Sequence, residues 1–413
     1  MVAVDVGAIG QDLARHWLVY ASMPVIAAII GYVTKRVAID MMFRPIEFVG
    51  IPPFLGWQGI VPKNARRMAD IATGLLLGRL LDPQEVVSRL DPERLAKEME
   101  APLRQVVEDV ATHVLARYQP SIWEMLPPAV QRLVLSNVES RAPAVTLKLI
   151  EEVMADVESF VDIRTMAVEN ITRDKHLLNR LIRDISKAEF TFIARCGLVF
   201  GLILGFVQVV VWALTKEPWI MPIFGLVVGG ATDWLALKMI FHPREPTRFL
   251  GLVTWQGLFH RRRKQIAADY GRLIAEEVLT ADAVVEAMLT GPRSDRVFQL
   301  VQHEVQNIID EQTSIAKPFV VLTVGSRRYQ EMKASAARLA MARLRDAVMP
   351  AAGYASDVLD IGNTIASKMQ LLSPMEFEEL LRPAFRQDEW KLITVGAVIG
   401  FLVGELQVFV LLG

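Results

Sequence analysis

Four apolar segments, separated by two long stretches of mixed apolar and polar residues, set the pattern of this chain. The apolar segments cover about residues 17–33, 191–214, 219–240 and 392–412. Each is close to the roughly 20 residues that a helix needs to cross a bilayer. Charges near the ends of the first and third segments favour helices that cross and then continue beyond the membrane. The pattern predicts an all-α, polytopic membrane protein with about four transmembrane helices.

The two mixed stretches, about residues 68–186 and 266–385, predict helix after helix. Apolar residues recur there at helical spacing. Several helix starts are marked by a capping side chain, a proline and an acid in the first turn, as at Asp82-Pro83, Asp91-Pro92 and Ser373-Pro374. Neither stretch alternates like a strand, so we expect helical bundles or long helical hairpins without a sheet. A compact bundle and a projecting rod both stay open.

The chain contains one unit written twice. Residues 23–59 recur 198 positions later as residues 221–257, and the closing apolar segments share a glycine pattern at an offset of 199. A period this long indicates duplication of a whole domain rather than a solenoid. We expect a tail of residues 1–16, a first repeat over 17–214 with a cytosolic helical region at 44–190, and a second repeat over 215–413 with its helical region at 243–390.

Composition and charge agree with a mixture of membrane spans and water-facing helices. Hydrophobic residues make up 52% of the chain, charged residues 22%, and the mean hydropathy is +0.32. A net charge of -1 gives no argument for a nucleic-acid partner. Basic residues follow the first and third spans and are few at the other ends. The positive-inside rule then predicts parallel repeats with both helical regions in the cytosol and both termini outside.

One family resemblance rests on the repeated motif. The pattern Gly-x-x-Thr-x-x-x-Ala-x-x-Met-x-Phe-x-Pro occurs at residues 31–45 and 229–243, followed in each copy by Trp-Gln-Gly and later by the glycine-rich span. It resembles the bacterial membrane family catalogued as domain of unknown function 445. That family usually has Asn where this chain has Asp233, and the first copy departs further at Lys35, Arg36 and Asp40. The resemblance implies a topology in the bacterial cytoplasmic membrane and no known reaction.

The segments 45–62 and 243–259 are rich in proline and aromatics, and each precedes a basic cluster. Aromatics such as Phe48, Phe54, Phe249 and Phe259 suit the membrane interface, and basic residues there can meet anionic lipid. Two interpretations stay open, a lipid-headgroup site and ordinary interfacial anchoring. The candidate residues are Trp57, Gln58, Gly59, Arg66, Arg67, Trp255, Gln256, Gly257, Arg261, Arg262 and Arg263.

Charges at equivalent positions of the two copies are reversed. Lys35 aligns with Asp233 and Asp40 aligns with Lys238, close to the aligned pair Thr34 and Thr232. Pairing across the repeats would lower the cost of keeping these charges near the membrane. Positions five apart on a helix point in different directions, so both pairs cannot occupy one seam. Pairing within the first copy, between Arg36 and Asp40, is the alternative.

The closing spans carry small-residue faces that favour close helix packing. The aligned residues are Gly197, Gly201, Gly205 and Gln208 in the first copy and Gly396, Gly400, Gly404 and Gln407 in the second. The two glutamines could hydrogen-bond to each other. Glu405 is an acid well inside a membrane segment, which makes it a candidate for ion handling or a residue satisfied by glutamine or water.

Recognised enzyme signatures are absent, and no histidines stand at metal-ligand spacing. We therefore expect no cofactor, although an enzyme stays open. The first hypothesis is a non-catalytic scaffold or tether with membrane lipids and cytosolic or membrane proteins as partners. The second is binding or transfer of lipid or another hydrophobic solute through an apolar groove. The third is transport of a small solute or ion. A homo-oligomer stays open as well.

Overall fold

The structure is a computed structural model of the 413-residue chain. It describes residues 11, 14–51, 55–118, 120–125, 127–249, 253–312, 325–381 and 389–412. Most of the expected tail of residues 1–16, the candidate Phe54 and the side chain of Phe249 lie outside the described residues. Within them the chain is helical apart from two short hairpins, which confirms the all-α prediction.

The first half runs from one long apolar helix to another. Its elements are α1 (Trp17–Phe43), β1 (Val49–Ile51), β2 (Leu55–Trp57), α2 (Ile60–Lys63), α3 (Ala65–Leu75, continued by a π-helical turn at Leu76–Leu80), α4 (Pro83–Val87), α5 (Pro92–Tyr118), α6 (Pro120–Met125), α7 (Pro128–Glu139), α8 (Ala142–Ala155), α9 (Val157–Phe160), α10 (Ile163–Arg173), α11 (Lys175–Ile185) and α12 (Lys187–Thr215).

The second half opens and closes in the same way. Its elements are α13 (Ile220–Phe241), β3 (Thr247–Phe249), β4 (Val253–Trp255), α14 (Leu258–Arg261), α15 (Arg263–Leu273, continued by a π-helical turn at Ile274–Val278), α16 (Ala281–Thr290), α17 (Ser294–Gln312), α18 (Ser326–Val348, followed by a 3₁₀ turn at Met349–Ala351), α19 (Ala352–Leu359), α20 (Ile361–Leu371), α21 (Pro374–Leu381) and α22 (Glu389–Leu412).

Helices begin at the capping side chains that the sequence predicts at Asp82 and Ser373. The Asp82 carboxylate accepts hydrogen bonds from the backbone N–H groups of Gln84 and Glu85, at 2.9 and 3.3 Å, so α4 begins at Pro83. At α21 Ser373 and Glu376 bond reciprocally to each other's backbone N–H groups. These bonds satisfy donors that a helix start otherwise leaves without partners.

Two antiparallel hairpins were not expected from the sequence. Hairpin 1 pairs β1 with β2 and hairpin 2 pairs β3 with β4, with Val49 opposite Trp57 and Thr247 opposite Trp255. The two registers are equivalent between the copies. Each strand is three residues long, too short for an alternation of apolar and polar residues to reveal it.

The chain forms two compact units, and each contains segments of both halves. The membrane unit comprises Met1–Ala72, Ile171–Tyr270 and Ala366–Gly413. The helical unit comprises Thr73–Asn170 and Gly271–Ile365. The boundary expected between the repeats, near residue 215, falls inside the membrane unit and stays a prediction.

Long helices build the helical unit. Helix α5 packs against α8 and α18, and α18 packs against α17. Val114, Tyr329 and Met332 contribute to one buried cluster. Within this unit Lys333 also donates to Asp310 at 2.8 Å and Lys148 pairs with Glu304 at 2.7 Å, so charged contacts join elements that are distant in sequence.

Among the described residues, three helices, α1, α12 and α13, are long and apolar enough to cross a membrane. The expected fourth span, α22, is apolar over Ile393–Phe409, and its crossing stays a prediction. All four helices carry exposed apolar side chains, mostly at intervals of four residues. They include Val25, Ile29, Val33 and Val37 on α1, Leu198, Leu202, Phe206 and Val210 on α12, Ile223 and Val227 on α13, and Val398, Leu402 and Leu406 on α22. Such continuous faces suit contact with lipid.

Glycines bring the helix backbones into direct contact. A Cβ at Gly31 would overlap the carbonyl oxygen of Gly197, and one at Gly201 would lie 2.5 Å from the carbonyl oxygen of Ala27. The aligned residues Gly229 and Gly396 meet in the same way between α13 and α22. The two copies therefore use the same small-residue packing.

We expect Gly201→Ala to destabilise the membrane unit by about 1–3 kcal/mol, because its methyl group would overpack against the backbone of α1. The control is Gly353→Ala in α19, where a Cβ meets nothing within 4 Å. That change should be neutral or slightly stabilising. Thermal unfolding of the full chain in detergent compares the two, and equal melting temperatures would contradict the close packing.

Candidate functional site

Lys35 and Asp233 form an enclosed ion pair where α1 meets α13. The Lys35 ammonium lies 2.8 Å from Asp233 Oδ1, and both side chains have no exposed surface. Lys35 Nζ also donates to the carbonyl oxygen of Gly229 at 2.7 Å. Because Lys35 and Asp233 occupy aligned positions, the pair joins one copy of the repeat to the other.

Glycines of the closing helices make room for both charges. The Lys35 stem passes over α12, where a Cβ at Gly197 would lie 2.7 Å from Lys35 Cγ. The Asp233 carboxylate lies against α22, where a Cβ at Gly396 would overlap Oδ2. Gly197 and Gly396 are aligned residues. Each copy therefore uses a glycine at the same position to make room for a charged side chain, Lys35 in one case and Asp233 in the other.

The other reversed charges lie away from this seam. Asp40 is exposed, 3.8 Å from Arg183, and Lys238 is exposed with its ammonium 4.9 Å from the centre of the Trp234 ring. The hydroxyls of Thr34 and Thr232 are buried and donate to carbonyls one turn earlier in their own helices. Neither alternative pairing, Asp40 with Lys238 or Arg36 with Asp40, occurs among the described contacts.

Enclosure makes the pair a costly feature. Removing each charge from water costs several kcal/mol, and only mutual attraction and hydrogen bonds offset that cost. Asp233 Oδ2 has no hydrogen-bond donor among the described residues. The pair is therefore better suited to specifying which helices meet than to adding net stability.

The Trp-Gln-Gly motif holds each loop against the end of its helix. In the first copy Gln58 Nε2 donates to the Ile46 carbonyl at 2.8 Å, and the Gly59 N–H donates to the Pro45 carbonyl at 2.9 Å. Trp57 Nε1 donates to the Met41 carbonyl at 3.3 Å. The polar groups of the motif are thus engaged inside the loop.

The second copy repeats two of these bonds. Gln256 Nε2 donates to the Arg244 carbonyl at 3.1 Å, and the Gly257 N–H donates to the Pro243 carbonyl at 2.9 Å. A Cβ at Gly257 would lie 2.6 Å from the Ile240 carbonyl oxygen, so only glycine fits there. The Trp255 ring lies 6.1 Å from that of Phe192. The geometry gives the motif a structural role in both loops.

One aligned carbonyl is satisfied differently in the two copies. Asn179 Nδ2 donates to the Phe43 carbonyl at 2.9 Å, whereas His260 Nε2 lies 3.1 Å from the Phe241 carbonyl. Asn179 and His260 come from different elements, α11 and α14. Neither residue carries a sequence signal, because the need for a donor at this carbonyl appears only once the loop is folded.

His260 belongs to a buried polar group that the sequence did not reveal. Glu378 is buried, accepts a hydrogen bond from Arg244 Nε at 2.7 Å, and lies 3.9 Å from His260 Nε2. His260 Nδ1 is buried without a hydrogen-bond partner among the described residues. Burial lowers the pKa of His260 below its usual value, and it outweighs the attraction of Glu378 and the hydrogen bond to the Phe241 carbonyl, which both raise the pKa. The charges of Arg244 and His242 lower the pKa further.

The basic clusters contain three exposed arginines and two partly buried ones whose hydrogen-bond acceptors are described. Arg66, Arg67 and Arg261 are exposed. Arg262 donates to the buried Glu189 at 2.8 and 3.0 Å. Arg263 donates to the carbonyls of Gln370 and Leu372. The guanidinium groups of Arg262 and Arg263 are therefore bound by other groups of the protein.

No hydrogen bond joins the two glutamines of the closing spans in the described structure. Gln208 and Gln407 are buried, and the amide nitrogen of each lacks a hydrogen-bond partner in the described structure. The expected bond between them is therefore not formed. Glu405 is half-buried, and no described contact pairs it with a cation.

The duplication is also visible in comparisons with known proteins. The profile of the family described as "Protein of unknown function (DUF445)" matches residues 25–159 and again 223–352. The chain belongs to this family. The two matches arrange the DUF445 sequence in tandem, as the repeat predicts.

Relatives that match this chain over nearly their whole length are named as membrane proteins. A "UPF0754 membrane protein" of Synechococcus sp. (strain JA-3-3Ab) is 24% identical over 95% of this chain and 99% of its own length. Another, of Microcystis aeruginosa, is 22% identical over 94% and 96%. A shorter match, to a protein of Nostoc punctiforme, is 36% identical over 25% of this chain and 26% of the relative. No solved structure matches this chain. This member of the family is therefore a membrane protein.

We expect Lys35→Met to destabilise the protein by about 3–5 kcal/mol, because it leaves the Asp233 carboxylate enclosed without a counter-charge. The exchange Lys35→Asp with Asp233→Lys should recover most of this loss. The ammonium introduced at position 233 would find the Gly31 carbonyl where Lys35 now finds that of Gly229, since the glycines are aligned. The measurement is thermal unfolding in detergent. The control is Lys63→Met at an exposed lysine, and a single variant as stable as this control would refute the pairing.

We expect acidification to weaken the fold through His260. Its pKa is lowered in the folded state, so the unfolded chain binds the extra proton first and stability falls as the pH drops below about 6.5. His260→Gln keeps a donor near the Phe241 carbonyl but does not titrate. Melting temperatures measured from pH 7 to pH 5 should fall less steeply for this variant, and parallel curves would exclude a contribution from His260.

Proposed function

We propose that the protein is a non-catalytic membrane tether or scaffold, in which the membrane unit anchors the helical unit at the inner leaflet of the bacterial cytoplasmic membrane. The observation that carries this proposal is the tight helix packing of the membrane unit, together with the pairing of its enclosed charges. Glycine backbones touch along α1–α12 and α13–α22, and the charges between α1 and α13 neutralise each other. Such a core is suited to static anchoring.

The helical unit supports the same function. The chain passes between the two units at four points, near residues 72, 170, 270 and 365. The helical unit is therefore joined to the membrane unit by four covalent connections. Its helix α7 has no buried residue, and it exposes Val130, Leu133 and Val134. Exposed apolar side chains grouped on one water-facing helix favour a protein partner.

The proposal includes an orientation. Basic residues follow α1 and α13, while Glu217 accompanies Lys216 in the short connection between α12 and α13. On the positive-inside rule the helical unit and both hairpins lie in the cytosol and the termini lie outside. Four crossings, including α22, are part of this arrangement.

A small-solute or ion transporter is the alternative that specific residues favour. Asp233, whose Oδ2 has no hydrogen-bond partner among the described residues, and Glu405 are acids within apolar helices. A lipid handler would need an apolar groove open to the membrane. Both alternatives require movement of a substrate, whereas a tether requires only a bound partner. Flux and partner binding therefore separate them.

The test combines flux and crosslinking on the full chain. In proteoliposomes we expect no proton or sodium flux above that of empty vesicles. In cells, a photocrosslinker at Leu133 should form one adduct with a protein of defined identity, and Leu133→Asp should abolish co-purification of that protein. A crosslinker at Asp357, which is exposed on α19, serves as the control. Flux that Asp233→Asn abolishes would replace the tether with a transporter.

A further inference from the structure

Hairpin 1 and the residue before it expose apolar side chains, and at two of the aligned positions the second copy is more polar. Phe48, Val49 and Ile51 are 42%, 63% and 71% exposed. The positions aligned with the first two are Pro246 and Thr247, which are exposed as well. At these two positions the first copy presents large apolar side chains and the second presents Pro246 and Thr247.

The neighbourhood of hairpin 1 has the character of a membrane interface. Helix α1 carries an exposed apolar line that ends with Val33 and Val37, and β1 begins six residues after this helix ends at Phe43. The exposed residues between Val37 and Phe48 are the charged Asp40, Arg44 and Glu47, which suit the headgroup layer beside the apolar helix. Exposed basic residues follow at Lys63 and Arg66.

Charge distinguishes the two hairpins further. Glu47, the acid beside hairpin 1, is paired with Lys175 at 2.9 Å, so its negative charge is compensated. Hairpin 2 carries the exposed Arg248, and Glu245, the residue aligned with Glu47, is exposed beside it. Placing hairpin 2 in the apolar part of a bilayer would require removing these groups from water, which is costly.

We propose that hairpin 1 inserts Phe48, Val49 and Ile51 at the boundary between lipid headgroups and acyl chains, where Lys63 and Arg66 bind anionic headgroups. Hairpin 2 stays in water. Apolar side chains followed by basic ones match the chemistry of interfacial insertion, in which burial of apolar area and attraction to anionic lipid act together. The partner is thus the anionic lipid surface beside α1.

The test places a small fluorophore on either hairpin of the full-length protein in nanodiscs. The single native cysteine, Cys196, is buried and is replaced by serine in the background. The labelled positions are Val49→Cys and the matched control Thr247→Cys. The nanodiscs contain phosphatidylcholine and phosphatidylglycerol with brominated acyl chains, because bromine quenches only a probe at acyl-chain depth.

We expect brominated lipid to quench most of the emission of the label at position 49 and aqueous iodide to quench little of it. The label at position 247 should be quenched by iodide and little by brominated lipid. Equal behaviour of the two labels would overturn the proposal. A second result would also overturn it: iodide quenches the label at position 49 in nanodiscs, while the unlabelled Val49→Cys variant is protected from maleimide in native membranes. That combination would indicate a protein partner.

A second measurement tests the basic residues. Lys63→Gln with Arg66→Gln should remove the dependence of quenching at position 49 on the phosphatidylglycerol fraction. The matched control is Arg261→Gln with Lys264→Gln, since these exposed residues align with Lys63 and Arg66. It should leave that dependence unchanged. The same loss in both double variants would reduce the basic contribution to a general charge effect and would overturn specific binding at hairpin 1.

Discussion

The membrane unit depends on one constraint, an opposite charge at each of two equivalent positions. Lys35 and Asp233 meet because the copies of the repeat contact each other through α1 and α13. Two identical copies would bring like charges together in the same enclosed place, at a cost that neither water nor a counter-ion would relieve. Duplication within one chain removes this problem, since the two positions can diverge independently. The halves are consequently complementary partners rather than interchangeable ones.

Close backbone packing and charge pairing support each other in this arrangement. The glycines at 197 and 396 leave space for the Lys35 stem and the Asp233 carboxylate, and the glycines at 31 and 229 bring the paired helices together. In lipid, helix association relies on such packing because burial of apolar surface gives little advantage there. The same packing excludes water from the ion pair, which raises the penalty for any arrangement that separates the charges. A shift of one helix would disturb both contributions at once.

The sequence predicts those features that depend on patterns along the chain. The repeat, the apolar helices and helix starts such as Asp82-Pro83 follow from spacing and capping chemistry, and the reversal of charge at Lys35 and Asp233 is visible by alignment. Hairpin 1 and the bonds of Asn179 and His260 are not predictable in this way. The strands of hairpin 1 are too short to show a pattern. Asn179 and His260 each provide a hydrogen-bonding group for a carbonyl at the end of a helix, and that requirement arises only when the chain is folded. The glutamines at 208 and 407 show the converse limit, because residues at equivalent positions in two repeats need not hydrogen-bond to each other.

Apart from the reversed charges of Lys35 and Asp233 in the core, the differences between the copies described above lie at helix ends and on exposed surfaces. Glycine contacts and the bonds of Gln58 and Gln256 are the same in both copies. The donor to the helix-end carbonyl differs, being an amide in one copy and a titratable imidazole in the other. The exposed residues of the hairpins differ as well. A frame that both copies must keep leaves the loops and surfaces as the places where each copy can acquire its own chemistry. Functional differences between the halves are therefore to be sought at the helix ends and hairpins, whereas changes within the core would affect both halves together.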